Sequence, residues 1–183
     1  MIGVILAGGE SRRFGSQKAL YELEGKPFYQ YVYDTLVASS QFEQVVINTN
    51  AQLKDAFKQE VIVDDSRYQG LGPMAGIYTV MAAVPDDAYF VVSVDTPFLT
   101  TEAVNYLIEH FQGNTTVYRD YEQIHATIGI YPHKLKKTIK QYLDHRDLRL
   151  RALFDEETTY IDVSAVPGHW YQNINRPEDL KGV

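Results

Sequence analysis

Near its start the chain reads Val4-Ile5-Leu6-Ala7-Gly8-Gly9-Glu10-Ser11-Arg12-Arg13-Phe14-Gly15-Ser16-Gln17-Lys18. Val4-Ile5-Leu6 is a short apolar strand that feeds directly into a glycine-rich turn. Adjacent glycines let a backbone turn sharply and approach a ligand with no Cβ in the way. Exposed N–H groups in such a turn form an anion-binding concavity. Arg12, Arg13 and Lys18 add full positive charges where a triphosphate or a leaving pyrophosphate would lie. A tight strand–helix turn with exposed arginines is the plainer account of the glycine pair alone, and the charged spacing argues against it. A Walker A loop fails on spacing, because five residues separate Gly9 from Gly15 and Ser16 follows Gly15. The Gly-x-Gly-x-x-Gly dinucleotide fingerprint is absent.

Working outward, apolar strands alternate with helical segments. After Pro27, Tyr31, Leu36 and Val37 suit a helix that ends near Ser39-Ser40. Val45-Val46-Ile47 reads as a second strand, closed by Asn48-Thr49-Asn50. A short helix is expected over 51–58, a third strand at Val61-Ile62-Val63, and a helix near 74–84 behind the glycine-rich segment Gly70 to Gly76. Tyr89-Phe90-Val91-Val92-Ser93-Val94 is a continuous apolar run of the kind buried on both faces of a parallel sheet. A helix is expected from Thr101 to Phe111, an antiparallel strand pair at 115–119 and 125–131, a helix near 133–144, and a short one after Pro177. The expected fold is therefore α/β, one Rossmann-like three-layer domain spanning 1–183, its sheet mostly parallel with an antiparallel portion.

In such sheets ligands bind beyond the carboxyl ends of the strands. Those ends are Leu6-Ala7-Gly8-Gly9, Asn48, Asp64-Asp65 and Asp95: glycines, an amide and carboxylates. Asp95 follows the longest apolar run, and Pro97 prevents simple continuation of that strand. A carboxylate at that mouth suits Mg²⁺, which takes one or two carboxylates together with phosphate oxygens and water. An Asx-turn or a cap before Thr100-Thr101 is the alternative for Asp95.

Composition bounds the rest. Net charge is −7, which disfavours nucleic acid as a partner. A second basic cluster, Arg146, Arg149 and Arg151, reads equally well as a solvated helical face. No apolar stretch approaches the roughly 20 residues of a membrane helix, and the first strand lacks a basic leader, so a cytoplasmic protein without a membrane partner is expected. With no cysteine, thiolate metal sites and a cysteine nucleophile are excluded. The five histidines show no metal-ligand spacing. His125, in Ile124-His125-Ala126-Thr127, is placed either against an acceptor or in ordinary packing.

Taken together these residues resemble the molybdenum cofactor guanylyltransferases, within the wider nucleotidyltransferase superfamily. The resemblance rests on Leu6 to Lys18, then Gly72-Pro73-Met74-Ala75-Gly76-Ile77, Val94-Asp95-Thr96-Pro97-Phe98-Leu99 and Asn173-Ile174-Asn175-Arg176-Pro177-Glu178-Asp179-Leu180. The first motif marks the superfamily; the other three narrow it to the molybdopterin-type branch. Phe14 stands where Met is common, and Arg176 stands where Thr is usual, either as a further phosphate contact or simply exposed.

The resemblance implies transfer of GMP from GTP to the terminal phosphate of molybdopterin or Mo-molybdopterin, giving the guanine dinucleotide cofactor and pyrophosphate. It implies nucleotide contacts from Leu6, Ala7, Gly8 and Gly9, phosphate binding by Lys18, guanosine contacts from Asn48 and Asp65, and Mg²⁺ on Asp95. Lys18 with Arg12 or Arg13 would stabilise the leaving group. Asn173 and Asn175 would approach the pterin, with His125 nearby, and other molybdenum-cofactor biosynthesis proteins are implied partners. A phosphate nucleophile needs no general base, in line with the lack of a compelling His–carboxylate pair in the sequence. A cytidylyltransferase acting on the same pterin or on a sugar phosphate, and a non-catalytic GTP- or cofactor-binding protein, remain as alternatives.

Overall fold

A computed structural model describes residues 1–9 and 17–182, with the side chains of the last two left aside. The apolar runs become strands of one sheet: β1 (Ile2–Leu6), β4 (Gln44–Thr49), β5 (Val61–Val63), β6 (Ala88–Ser93), β7 (Thr116–Arg119), β8 (Ile124–Pro132) and β9 (Thr159–Asp162). The strand order is β5-β4-β1-β6-β8-β7-β9. Pairings from β5 to β6 are parallel, β8 runs antiparallel to β6 and β7, and β9 joins β7 in parallel. A small hairpin, β2 (Glu22–Leu23) with β3 (Lys26–Pro27), stands apart from the sheet.

Helices cover both faces, as the continuous apolar strands require. They are α1 (Phe28–Ser39), α2 (Pro73–Ala83), α3 (Thr101–Glu109) and α4 (Lys136–Asp144). Side-chain alternation sorts the strands between two cores. Ile5, Phe90 and Val92 pack with Leu36 of α1 and Leu107 of α3. Val4, Leu6, Tyr89 and Val91 pack with Met74 and Ile77 of α2 and Ile139 of α4. The fold is thus a three-layer α/β domain with a mixed, mostly parallel sheet. Among the described residues no helix is long and apolar enough to cross a membrane.

Three expectations need correction. The helix expected over 51–58 is a single 3-10 turn, Lys54–Ala56. Asn50 Oδ1 accepts from the N–H groups of Gln52 and Leu53, and Phe57 leaves the turn in extended conformation to pack edge-on against Tyr29. Strand β9 was not anticipated; its four residues are half-buried to exposed and follow a polar loop, so no apolar alternation announces it. The helix from Thr101 ends at Glu109 rather than Phe111.

Close packing at the carboxyl edge depends on Gly76 in α2. A Cβ there would lie 2.2 Å from Asn48 Oδ1 and 2.9 Å from Leu6 Cδ2. The glycine lets α2 sit against the strand ends while Asn48, 3% exposed, keeps its position. Gly76→Ala should therefore cost about 1–3 kcal/mol through overpacking, read as a lower urea midpoint with an unchanged m-value. Wild-type stability in that variant would show that Asn48 can move freely.

Candidate active site

The strands end on one rim. At β1, Ala7 N–H donates to Asn48 O (2.8 Å), and Asn50 Nδ2 donates to Gly8 O (3.3 Å). These bonds fix the entry to the glycine turn against the end of β4. Gly8 lies within contact of the backbone of Thr49 and Asn50. Gly9 is exposed. Arg12 and Arg13, expected beside the phosphates, lie outside the described residues.

Asp95 occupies the mouth of β6. Val94 N–H donates to Leu6 O (3.1 Å), so the β1–β6 register continues past the strand itself. Helix α3 is capped by Thr100, whose side chain accepts from Ala103 N–H, so Asp95 does not serve as its cap. Among the described residues Asp95 makes no Asx-turn either: Oδ1 is buried with no hydrogen-bond partner, while Oδ2 lies 3.7 Å from Lys18 Nζ. A buried carboxylate oxygen without a donor carries a desolvation cost, so Oδ1 is an acceptor with the chemistry to take a cation. Among the described residues no cluster of three or more His, Asp or Glu could hold a metal alone. A cavity of about 90 Å³ is lined by Leu6, Ala7, Gly9, Lys18, Ser93 and Asp95, among others.

The base-side candidates are placed differently from one another. Asn48 donates through Nδ2 to Ile62 O (3.2 Å) and to Asp64 Oδ1 (2.8 Å), so its amide braces the end of β5. Burial pushes the Asp64 carboxyl above the usual range, and the Asn48 bond only partly offsets that. Asp65 forms a two-pronged ion pair with Arg67 (2.6 and 3.0 Å). The Arg67 hydrogen bonds hold its carboxyl down at about 2. Asp64 was named in the sequence only as a strand end; its link to Asn48 follows from β4–β5 pairing, which a linear reading does not display.

On the other side of Asp95 lies the C-terminal segment. Ile174 N–H donates to Asp95 O (2.7 Å), and Thr96 Oγ1 donates to Asn173 Oδ1 (3.4 Å). Lys18 Nζ donates to Asn175 Oδ1 (2.9 Å). Asp179 Oδ2 accepts from the N–H groups of Asn175 and Arg176 (2.7 and 2.9 Å), and Arg176 itself is exposed. Trp170, 2% exposed, anchors the segment through edge contact with Tyr118 and a hydrogen bond to Val166 O. Asn173, Asn175, His125, Gln123, Tyr171 and Asp179 line a cavity of about 330 Å³. The candidates Lys18, Asp95, Asn173, Asn175 and His125 therefore gather along one edge.

The expected lack of a His–carboxylate pair does not hold. His125 Nε2 lies 2.9 Å from Asp120 Oδ2, and the His125 side chain is 3% exposed. The pair bridges the β7–β8 turn, where Asp120-Tyr121-Glu122 reads as turn sequence and gives no sign that the Asp side chain folds back onto β8. The second basic cluster behaves as a solvated face: Arg149 pairs with Asp147 beside it, and Arg146 and Arg151 are exposed.

Comparison with known proteins bears on the family and the fold. The family described as MobA-like NTP transferase domain matches residues 3–160. A putative protein from Aquifex aeolicus VF5 is 28% identical, with a TM-score of 0.74 over 94% of this chain and 92% of that one. Molybdopterin-guanine dinucleotide biosynthesis protein A from Archaeoglobus fulgidus is similar at 21% identity and TM-score 0.80, over 100% of this chain and 96% of that one. The 4-diphosphocytidyl-2C-methyl-D-erythritol synthase of Anaerococcus prevotii is similar at 13% identity and TM-score 0.74, over 99% and 92%. The last two likenesses are likenesses of fold.

The raised Asp64 carboxyl gives a signed prediction. A carboxyl whose folded pKa is raised destabilises the fold once it ionises, so that penalty is absent below 3.8 and grows as pH rises through the raised value. Asp64→Asn should match wild type in thermal midpoint at acid pH and exceed it at neutral pH. A variant less stable than wild type at neutral pH would contradict the burial argument.

Proposed function

The chain belongs to the family of MobA-like NTP transferase domains, and on that premise we propose that it transfers GMP from GTP to the terminal phosphate of molybdopterin or Mo-molybdopterin. The observation that carries the reading is Asp95. Its buried Oδ1 lacks a donor, its Oδ2 lies 3.7 Å from Lys18 Nζ, and its backbone carbonyl holds the segment bearing Asn173 and Asn175. Nucleotide and acceptor then meet at one residue. A single domain spanning 1–183 carries both subsites, in a cytoplasmic protein whose partners include other molybdenum-cofactor biosynthesis proteins.

In the proposed step a terminal phosphate oxygen of the acceptor attacks the α-phosphorus of GTP. The new O–P bond forms as the bond to the bridging oxygen breaks, and pyrophosphate leaves with that electron pair. The turn at Ala7, Gly8 and Gly9 receives the nucleotide, with Leu6 beneath it. Lys18, with Arg12 or Arg13, neutralises phosphate charge and stabilises the leaving pyrophosphate. Mg²⁺, held by Asp95, would supply charge stabilisation at the transferred group when bound. Such a reaction depends on positioning and electrostatics, which suits a site whose carboxylate and ammonium are held by the fold.

For the base, the ionised Asp65 supports guanine. A carboxylate accepts two hydrogen bonds side by side, which suits the adjacent N1–H and N2–H donors of guanine once Arg67, which occupies both oxygens, gives way; cytosine offers one donor group beside two acceptors. Asn48 then acts by holding Asp64 and the end of β5 in place. A cytidylyltransferase would share the loop and Asp95 but reverse this base preference.

Pyrophosphate release with Mg²⁺ and each NTP in turn, with and without molybdopterin, tests the proposal. Release confined to GTP plus molybdopterin is expected; release with CTP instead would replace the nucleotide, and no release with any pair would overturn the transfer. In the active pair, Asp95→Ala and Lys18→Ala should each lower kcat on the order of 10²–10³-fold while remaining folded. Near-normal turnover in either variant removes that residue from the mechanism.

A further inference from the structure

The transfer step makes no use of the Asp120–His125 pair, although the pair stands at its edge. The β6–β8 ladder ends at Val92↔Ile128. Beyond it β8 bulges, since Val117 pairs with Gly129 but the next residue, Tyr118, pairs with His125. The His125 ring lines the larger cavity together with Asn173 and Asn175, which flank the Ile174 N–H bond to Asp95 O.

Asp120 is built to be a fixed acceptor. Its Oδ1 accepts from the N–H groups of Glu122 and Gln123 (2.8 and 2.7 Å), which leaves Oδ2 for His125. Burial pushes its carboxyl up, but the bonds from Gln123, His125 and Glu122 outweigh this and hold it below the usual range. An ionised carboxylate can only accept, so the proton between the two groups sits on His125 Nε2. Edge contact with Tyr171, at 5.1 Å between centroids, restrains the ring. Among the described residues Nδ1 has no hydrogen-bond partner.

The rest of the cavity indicates what meets Nδ1. Among the described residues its walls carry the carboxamides of Gln123, Gln172, Asn173 and Asn175, which offer donors and acceptors together, and no lysine or arginine. Asp179, a further carboxylate there, already receives two backbone N–H groups. Such a cavity suits a neutral, hydrogen-bonding head group, while the acceptor's phosphate belongs toward Asp95, where the transfer takes place. We propose that Asp120 locks His125 in the Nε2–H tautomer so that Nδ1 accepts a hydrogen bond from an N–H or O–H of the acceptor's head group, making the pair a determinant of acceptor choice. This rests on the acceptor lying beside Asp95, as the transfer reading has it. Asp120 is then a positioning residue that acts through His125.

Asp120→Asn separates this role from packing. The replacement keeps an oxygen for the turn N–H groups and sets an amide NH₂ against His125 Nε2. Nε2 must then accept, the proton moves to Nδ1, and the cavity presents a donor where it presented an acceptor. Long-range ¹H–¹⁵N NMR of the ligand-free protein should show His125 as the Nε2–H tautomer in wild type and the Nδ1–H tautomer in Asp120→Asn. With GTP and molybdopterin, Asp120→Asn and His125→Ala should each raise the acceptor KM about tenfold to a hundredfold, with the Kd for GTP unchanged. A wild-type His125 that carries its proton on Nδ1, or on both nitrogens, overturns the proposal. So does a variant that changes tautomer while keeping the wild-type acceptor KM. If wild type turns over no molybdopterin, the transfer reading falls separately, and the tautomer spectra still sustain or overturn the assignment of Nδ1 as the fixed acceptor.

Discussion

The hydrogen bond from Ile174 N–H to Asp95 O, 2.7 Å long, is the constraint on which the site's geometry depends. It joins the C-terminal segment to the mouth of β6. On the strand's other side, Val94 N–H reaches Leu6 O and keeps the chain aligned with β1. Leaving such a backbone group buried and unpaired would cost about 1–3 kcal/mol, so the segment is held where it lies. Main-chain bonds therefore fix Asp95 from both sides while one carboxylate oxygen stays without a donor. In the proposed transfer, the nucleotide half and the acceptor half of the edge would share this residue as their common wall.

A second constraint operates at the β4–β5 end. Gly76 makes room for Asn48, Asn48 braces Asp64, and Thr79 Oγ1 accepts from Asp65 N–H. Helix α2 thereby sets the height of two adjacent carboxylates on the rim. One is half-buried and resists ionisation, and the other is held ionised by Arg67.

The sheet was legible because its central strands are buried on both faces and so appear as unbroken apolar runs, as Tyr89 to Val92 do. The strand ends were legible for the same reason, since polar residues appear abruptly at Asn48, Asp64 and Asp95. The tertiary couplings were not legible. Lys18 and Asn175 are 157 positions apart, and no local pattern announces that one donates to the other. Asp120 and His125 are near in sequence but straddle a turn, where an Asp has a sufficient local explanation. The matched family region ends at residue 160, before Asn173, so the acceptor side rests on geometry more than on motif. Strand β9 and the 3-10 turn at Lys54–Ala56 were missed where short segments take their form from distant partners.

The central claim is that Asp95 is the point at which metal and nucleotide are joined. Calorimetric binding of the non-transferable analogue guanosine α,β-methylene triphosphate, with and without Mg²⁺, tests it on wild type and Asp95→Asn. The account predicts that Mg²⁺ tightens analogue binding to wild type and that the replacement abolishes this gain, while metal-free binding stays the same or improves. An equal Mg²⁺-dependent gain in both proteins would place the metal elsewhere and contradict the account.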